Sequence, residues 1–407
     1  MKNIFLFIFI LGSFYARCQE RDTLSVLSYN LLNFPGVSPE RIDTLEEILA
    51  YIKPDILMVC ELTSSLGANS ILYDALNEDG VSSYDMADYI AGPDTQNELY
   101  FNSDKLGLYE QNVIPTVLRD INEYVLYYKS VDIGTIIDTT FFYVYVCHLK
   151  ASTGFQEQRN TEILALKAYL SSHPKVENII LGGDFNFYGS DTEPGWNTIL
   201  TGEGVIMKDP LTLPGHWHED AGFAWTHTQS TRTTSFDGGA YGGMDDRFDF
   251  IFIGEDLKNY SNNGLYVTGS YRAIGQDGLH FNKSLIESPT NVSEPTEIIS
   301  ALYHMSDHLP VYLEIEVVKE AASIKERSFV DLLAYCDVKN DEIRFRLLEE
   351  LAQKDNLSGS IYDLHGQVVI SIDSLSLDQT ISISMLDAGS YVLYIEDYNY
   401  TFRFIKN

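Results

Sequence analysis

The stretch IILGGDFNFYG, residues 179–189, runs from apolar residues through two glycines into Asp184, Asn186 and three aromatics. With the residues before it, VENIILGGD reads as a buried strand. Gly182 and Gly183 permit the backbone to turn close to a ligand and set Asp184 at the strand tip. Phe185 and Phe187 read as core anchors for the loop that follows. Taken alone, Asp184-Phe185-Asn186 is an Asx-type turn. Whether it carries chemistry depends on how the other strands of the chain end.

They end alike. LSVLSYN finishes in Asn30, ILMVCE in Glu61, FFYVYVCH in His148, and NIILGG in Asp184 followed by Asn186. Two more strands start on such residues: RFDFIF at Asp249 and SDHLPV at Asp307-His308. Between them, PERIDTLEEILAYIK carries Ile42, Leu45, Ile48, Leu49 and Ile52 at helical spacing before Pro54. A second amphipathic helix covers residues 156–171, with Ile163, Leu166 and Leu170 on one side. In a mixed sheet, the ends of some strands and the starts of antiparallel ones share one rim. The pattern therefore gathers two Asn, one Glu, two His and three Asp in a single cleft. Carboxylates in that number, without Lys or Arg among them, repel one another unless a cation intervenes. Oxygen ligands without cysteine, with His outnumbered, favour Mg²⁺, or Mn²⁺, over zinc. Histidines beside a carboxylate-held metal are the parts needed for attack at phosphorus.

SYNLLNF, PDILMVCEL, CHLKAS, GGDFN, RFDFIF and SDHLPV occur in this order across residues 22–318. In that order they resemble the endonuclease/exonuclease/phosphatase superfamily, which includes deoxyribonuclease I, abasic-site endonucleases, inositol-polyphosphate phosphatases and bacterial sphingomyelinases. The resemblance implies an α/β fold: a four-layer α/β/β/α sandwich, two mixed sheets face to face with helices outside. It implies Glu61 as the main Mg²⁺ ligand, assisted by Asn30 and Asp307. Asp184 would orient and deprotonate the attacking water, and Asn186 would hold a phosphate oxygen. Asp249 would accept from His308 and keep it protonated, while His148 would stabilise charge or donate to the leaving oxygen. One departure stands out. Some nucleases of the family pair the first histidine with a Glu on an intervening strand, and in NELYFNSDKLGLY neither Asn97 nor Glu98 clearly fills that place.

The remaining composition bounds the setting. The 407 residues suffice for one large domain and a small one. Acidic residues outnumber basic ones 59 to 27, a net charge of −32, which repels nucleic acid and anionic membranes at long range unless a cation inverts the local field. MKNIFLFIFILGSFYARCQE has a basic start, a short apolar run and small residues before Gln19, the pattern of a cleaved signal peptide over residues 1–18. Lipidation at Cys18 is disfavoured by Arg17. No later stretch of 18 apolar residues exists, so no transmembrane segment is expected in the mature protein. Cys60 and Cys147 sit in apolar runs and read as buried free thiols.

His216, His218 and His227 fall in an irregular region without a fourth ligand at recognisable spacing, and read as structural or substrate contacts rather than a metal cluster. Arg232 is a candidate phosphate contact, weighed against a surface salt bridge. The catalytic domain is expected over residues 19–318 and a linker over 319–328. Residues 329–407 read as a small all-β sandwich domain of short alternating strands. SIYDLHGQVV, ISISMLDAGSYVLYI and FRFIKN make that domain resemble the sorting domain of the type IX secretion system of Bacteroidota. The expectation is an exported, Mg²⁺-dependent phosphohydrolase, secreted or held at the cell surface, whose partner for export is the type IX machinery. Nucleic acid is the first substrate choice. A phosphatase or phosphodiesterase for a small or lipid-linked phosphate is the alternative.

Overall fold

Along the chain run β1 (Arg21–Phe34), α1 (Arg41–Ile52), β2 (Ile56–Leu62), α2 (Ser65–Ile71), β3 (Tyr84–Met86), β4 (Gln96–Asn102), β5 (Leu106–Ile114), β6 (Ile121–Tyr128) and β7 (Phe141–His148). There follow α3 (Gln156–Ser172), β8 (Ile179–Asp184), α4 (Pro194–Thr201), β9 (Met207–Lys208), β10 (Asp249–Gly254), α5 (Glu255–Asn259), β11 (Gly264–Tyr266), β12 (Arg272–Ala273), α6 (Thr296–Met305) and β13 (Val311–Val318). The structure, a computed structural model, describes residues 21–130, 139–173, 176–202, 204–235, 238–259, 263–319, 332–337, 342–347, 357–363, 367–375, 380–395 and 400–406. The expected signal peptide, and the expected linker beyond Lys319, lie outside these residues.

One sheet has the strand order β11-β13-β1-β2-β4-β3, with β12 also on β13; the other has β5-β6-β7-β8-β10-β9. Both are mixed. β1 and β2 are parallel, as are β7 and β8. Each parallel pair is joined through a helix, α1 or α3, because a hairpin cannot connect parallel strands. β10 and β13 run antiparallel to their neighbours β8 and β1.

The period of two along each strand sorts its side chains into separate cores. On β1, Leu24 and Val26 face the other sheet, while Leu27, Tyr29 and Leu31 face out toward α1, α2 and α6. On β7, Phe142, Val144 and Val146 meet the first sheet, while Tyr145 and Cys147 meet α3 and α4 through Ile163, Leu166, Leu170, Trp196 and Ile199. Three apolar cores separated by two sheets give the four layers α/β/β/α. Each fully buried Leu or Ile in them contributes about 1.5–3 kcal/mol relative to exposure. Phe185 and Phe187 are buried in the outer core of the second sheet, as anchors for their loop. Cys60 and Cys147 are buried free thiols.

The two glycines act differently from the expectation. The strand continues through both and ends only at Asp184. A Cβ on Gly182 would strike the Met58 side chain from the facing sheet, and one on Gly183 (φ +142°) would strike the Cys147 carbonyl. They allow close approach of protein to protein, beneath the strand tip, rather than of backbone to ligand.

The elements β1 to β13 form one compact unit, and the strands beyond residue 322 belong to a second. The described residues of that second unit are all-β. It contains β14 (Leu332–Asp337), β15 (Glu342–Leu347), β16 (Leu357–Tyr362), β17 (Val368–Leu375), β18 (Thr380–Ser382), β19 (Gly389–Ile395) and β20 (Tyr400–Lys406). They make a three-stranded sheet β14-β15-β18 and a four-stranded sheet β17-β16-β19-β20. Tyr391, Leu393 and Ile395 alternate inward along β19.

Candidate active site

The alternation that builds the inter-sheet core also delivers polar groups to its rim. Asn30 continues the inward row of β1, His148 that of β7, Asp184 that of β8, and Asp249 opens that of β10. His148, Asp184 and Asp249 lie abreast, paired in register across three strands. Glu61 is the exception, since strict alternation would aim its neighbour Cys60 at the cleft. Its φ of +62°, with register breaks on both sides of β2 near this point, re-aims the side chain. His308 and Asp307 precede β13, so the antiparallel strand brings them to the same rim.

Hydrogen bonds tie these groups together. Asn30 Nδ2 donates to Glu61 Oε1 (3.0 Å) and Asp184 Oδ2 (3.1 Å), while its Oδ1 accepts from Leu32 N (3.0 Å). Glu61 Oε2 accepts from Asn33 N (2.9 Å). His308 Nδ1 is 2.7 Å from Asp249 Oδ2, and its Nε2 lies 3.7 Å from Asp184 Oδ2. His148 Nε2 stands 3.5 Å from Asp184 Oδ2 and 3.8 Å from Glu61 Oε1. Asn186 N donates to Asp184 Oδ1 (3.0 Å), so the Asx-type turn is present at the strand tip. Asn186 Nδ2 donates to Leu149 O (3.3 Å).

Burial and crowding set the charges. Burial, offset in part by His308 and reinforced by Asp249 and Glu61, raises the Asp184 pKa to about 7. Burial likewise raises that of Glu61, against the pull of His308 and Asn30. Burial pushes His148 well below its ordinary range, helped by the positive charges of Arg119, His308 and Lys150, so its imidazole is neutral. Burial acts downward on His308 too, but Asp249, Asp307 and Asp184 outweigh it and hold the imidazolium well above the ordinary range.

Glu61, His148 and Asp184 each offer a ligand atom, all within 4.8 Å of one another. Among the described residues, Asp307 Oδ1, nearby, is buried without a partner. Two crowded carboxylates, a neutral imidazole and an orphaned carboxylate oxygen fit a divalent cation. Asn30 turns its amide nitrogen, not its oxygen, into this group. Asp307 Oδ2 is occupied by Ala240 N (2.6 Å) and Gln229 Nε2 (3.3 Å).

Seven of the expected residues therefore share one cleft, with Asn186 on its edge. Arg232 does not join them, and the expectation of a phosphate contact is corrected. It is fully buried, donating from Nε to Tyr303 O (3.0 Å) and from Nη2 to His304 O (3.2 Å) at the end of α6. Arg247 is also buried, on Asp209. Neither Asn97 nor Glu98 pairs with His148, whose Nδ1 has no partner among the described residues. Asn97 Nδ2 donates instead to Asp120 O, Asn122 Oδ1 and Val146 O. Gln229 is a residue that sequence reasoning missed. Its amide lies 2.6 Å from His308 Nε2, yet it sits in an unpatterned loop that gives no signal.

By sequence, residues 27–308 match the Endonuclease/Exonuclease/phosphatase family. The chain belongs to this family. Its members are phosphoric ester hydrolases that use a divalent metal, and the chain is an enzyme of that class. Residues 340–407 match the secretion system C-terminal sorting domain, which directs the protein out of the cell or to its surface through type IX secretion. Among the described residues, no helix is long and apolar enough to cross a membrane. No curated protein matches by sequence. Similar solved structures include TDP2 of D. rerio complexed with single strand DNA product (16% identity, TM-score 0.47, covering 72% of this chain and 98% of that one). The human Nocturnin catalytic domain with bound sulfate (19%, 0.42, 72% and 97%) and a mannosyl-6-phosphatase of Bacteroides thetaiotaomicron (16%, 0.43, 72% and 99%) are similar as well.

Proposed function

We propose that the protein is an exported, Mg²⁺-dependent phosphodiesterase acting on nucleic acid by in-line attack of water. The observation that carries this reading is the facing of two assemblies across a few ångströms: the charged His308–Asp249 pair, and the Glu61/His148/Asp184 group. Glu61 is the main metal ligand, with Asp307 beside it, and oxygen-rich donors favour Mg²⁺ or Mn²⁺. A divalent ion held there supplies Lewis acidity at a phosphoryl oxygen and neutralises developing charge. Asp184, with a pKa near neutrality, orients the water and takes its proton. The His308 imidazolium, its ring oriented by Asp249, donates to a phosphoryl oxygen as charge builds there. Asn186 stands beside the phosphate site. Asn30 holds Glu61 and Asp184 in place through its amide nitrogen. His148, kept neutral, faces Asp184 and Glu61 through Nε2, where it stabilises charge or donates to the leaving oxygen.

A second reading, hydrolysis of a small or lipid-linked phosphate, is favoured by one observation. Arg232 and Arg247 are buried in structural bonds, so neither offers the cleft a cationic contact for a polyanion. The mature protein offered plasmid DNA, RNA, bis-p-nitrophenyl phosphate, p-nitrophenyl phosphate and sphingomyelin, with Mg²⁺ or EDTA, separates the two. Mg²⁺-dependent cleavage of nucleic acid and diester but not monoester supports the nuclease reading. Turnover of monoester or lipid alone supports the second, and silence with every substrate contradicts both.

A further inference from the structure

The segment carrying His216 and His218 runs beside the loop that follows Asn186. Ser190 N donates to Gly215 O (2.8 Å), and His218 N to Tyr188 O (3.1 Å). Being two residues apart, the imidazoles project from the same side of this segment, with ring centroids 6.3 Å apart. Each is held through Nδ1 by a carboxylate: His216 by Asp191 Oδ1 (3.3 Å) and His218 by Asp246 Oδ1 (2.6 Å). Among the described residues, neither Nε2 has a hydrogen-bond partner. The third histidine of this region is separate, since His227 is buried with Nε2 on Trp217 O (2.7 Å). A Cβ on Gly189 would come within 2.6 Å of Asp191 Oδ1 and 2.9 Å of His216 Nδ1, so a larger residue there would push the Asp191–His216 pair aside.

A carboxylate on one ring nitrogen, leaving the other free, is the arrangement seen around metal-bound histidines. It fixes the tautomer and raises the basicity of the ligating nitrogen. From a metal–nitrogen length of about 2.0–2.1 Å, two imidazoles on one tetrahedral ion have centroids about 5 Å apart. A swing of about 1 Å by His216, whose side chain is 49% exposed, closes the difference. We propose that His216 and His218 form a second metal site that takes a borderline divalent transition ion of the zinc class, with water or substrate oxygen completing its shell. Imidazole nitrogens select such ions over Mg²⁺, so the two sites of this protein differ in ion preference. The ion ties the loop after Asn186 to the segment 216–218.

The test is zinc titration of the full chain by calorimetry in excess Mg²⁺, comparing wild type with His216→Ala, His218→Gln and Asp246→Asn. Wild type is expected to bind one zinc more than either histidine variant, or to bind it at least tenfold more tightly. Asp246→Asn, which removes only the carboxylate behind His218, is expected to weaken that zinc by about 10–100-fold. Melting curves without zinc establish that the variants fold, and His216→Ala, at an exposed position, keeps the comparison valid if the others do not. Equal stoichiometry and affinity in wild type and His216→Ala would overturn the proposal. The readout is binding, so it stands apart from the identity of the substrate.

Discussion

Asp249→Asn isolates the electrostatic part of the site with the least change in shape. The substitution leaves a group able to hydrogen-bond His308 but removes the charge 2.7 Å from its Nδ1. A unit charge pair near 4 Å at an effective dielectric of 20 is worth about 4 kcal/mol. A retained neutral hydrogen bond returns about 1 kcal/mol. The net loss of about 3 kcal/mol lowers the proton affinity of His308. It also removes about a hundredfold in rate if the imidazolium stabilises the transition state. The assay is kcat/KM on bis-p-nitrophenyl phosphate with saturating Mg²⁺, with circular dichroism melting as the control for folding. The backbone N–H of Asp249 donates to Thr228 Oγ1, a bond the substitution leaves alone, so the fold is expected to survive. A folded variant within threefold of wild-type kcat/KM would refute the assignment of His308 and Asp249.

Gly182→Ala drives a methyl group into Met58 and is expected to lower stability by about 1–3 kcal/mol, read as a lower melting temperature. In a Met58→Ala background, which is itself destabilised by about 2–5 kcal/mol, the further loss caused by Gly182→Ala should shrink; an unchanged melting temperature in the single variant would contradict the packing account. Glu98 tests a pH effect away from the cleft. Burial, only partly offset by the Leu99 N–H, pushes its carboxyl up to about 8. A raised carboxyl pKa gives a stabilising term that is full below the ordinary carboxylate range and is lost as pH rises through about 8. Wild type should therefore lose more melting temperature between pH 5 and pH 9 than Glu98→Gln does; parallel curves would contradict this.

Much of the cleft was legible because a strand's period of two is rigid. Once Val26, Val144 and Ile180 are read as inward, Asn30, His148 and Asp184 must follow them to the same rim. The helices α1 and α3 were legible from their 3.6-residue spacing. α2, α4 and α6 are shorter, at 7, 8 and 10 residues, and give too few turns for the pattern to stand out. Glu61 reached the site through a backbone irregularity that no periodicity announces, although its residue type drew attention to it. Arg232 misled because a charged residue in a polar loop looks exposed. Its burial depends on the carbonyls at the end of α6, about 70 residues further on. Likewise, the amide face that Asn30 presents is fixed by Leu32 N, a local bond with no trace in composition. The roles of Gly182 and Gly183 depend on a facing sheet and a neighbouring strand, which a single strand's sequence cannot display.

The most direct measurement pairs Mg²⁺ binding with diester hydrolysis in wild type and Glu61→Gln. Wild type should bind Mg²⁺, hydrolyse bis-p-nitrophenyl phosphate only in its presence and fall silent in EDTA, while folded Glu61→Gln should lose both binding and at least two orders of magnitude in rate, about 3 kcal/mol. Full hydrolysis by metal-stripped wild type, or undiminished Mg²⁺ binding and turnover in Glu61→Gln, would contradict a cation held by Glu61 at the heart of this cleft.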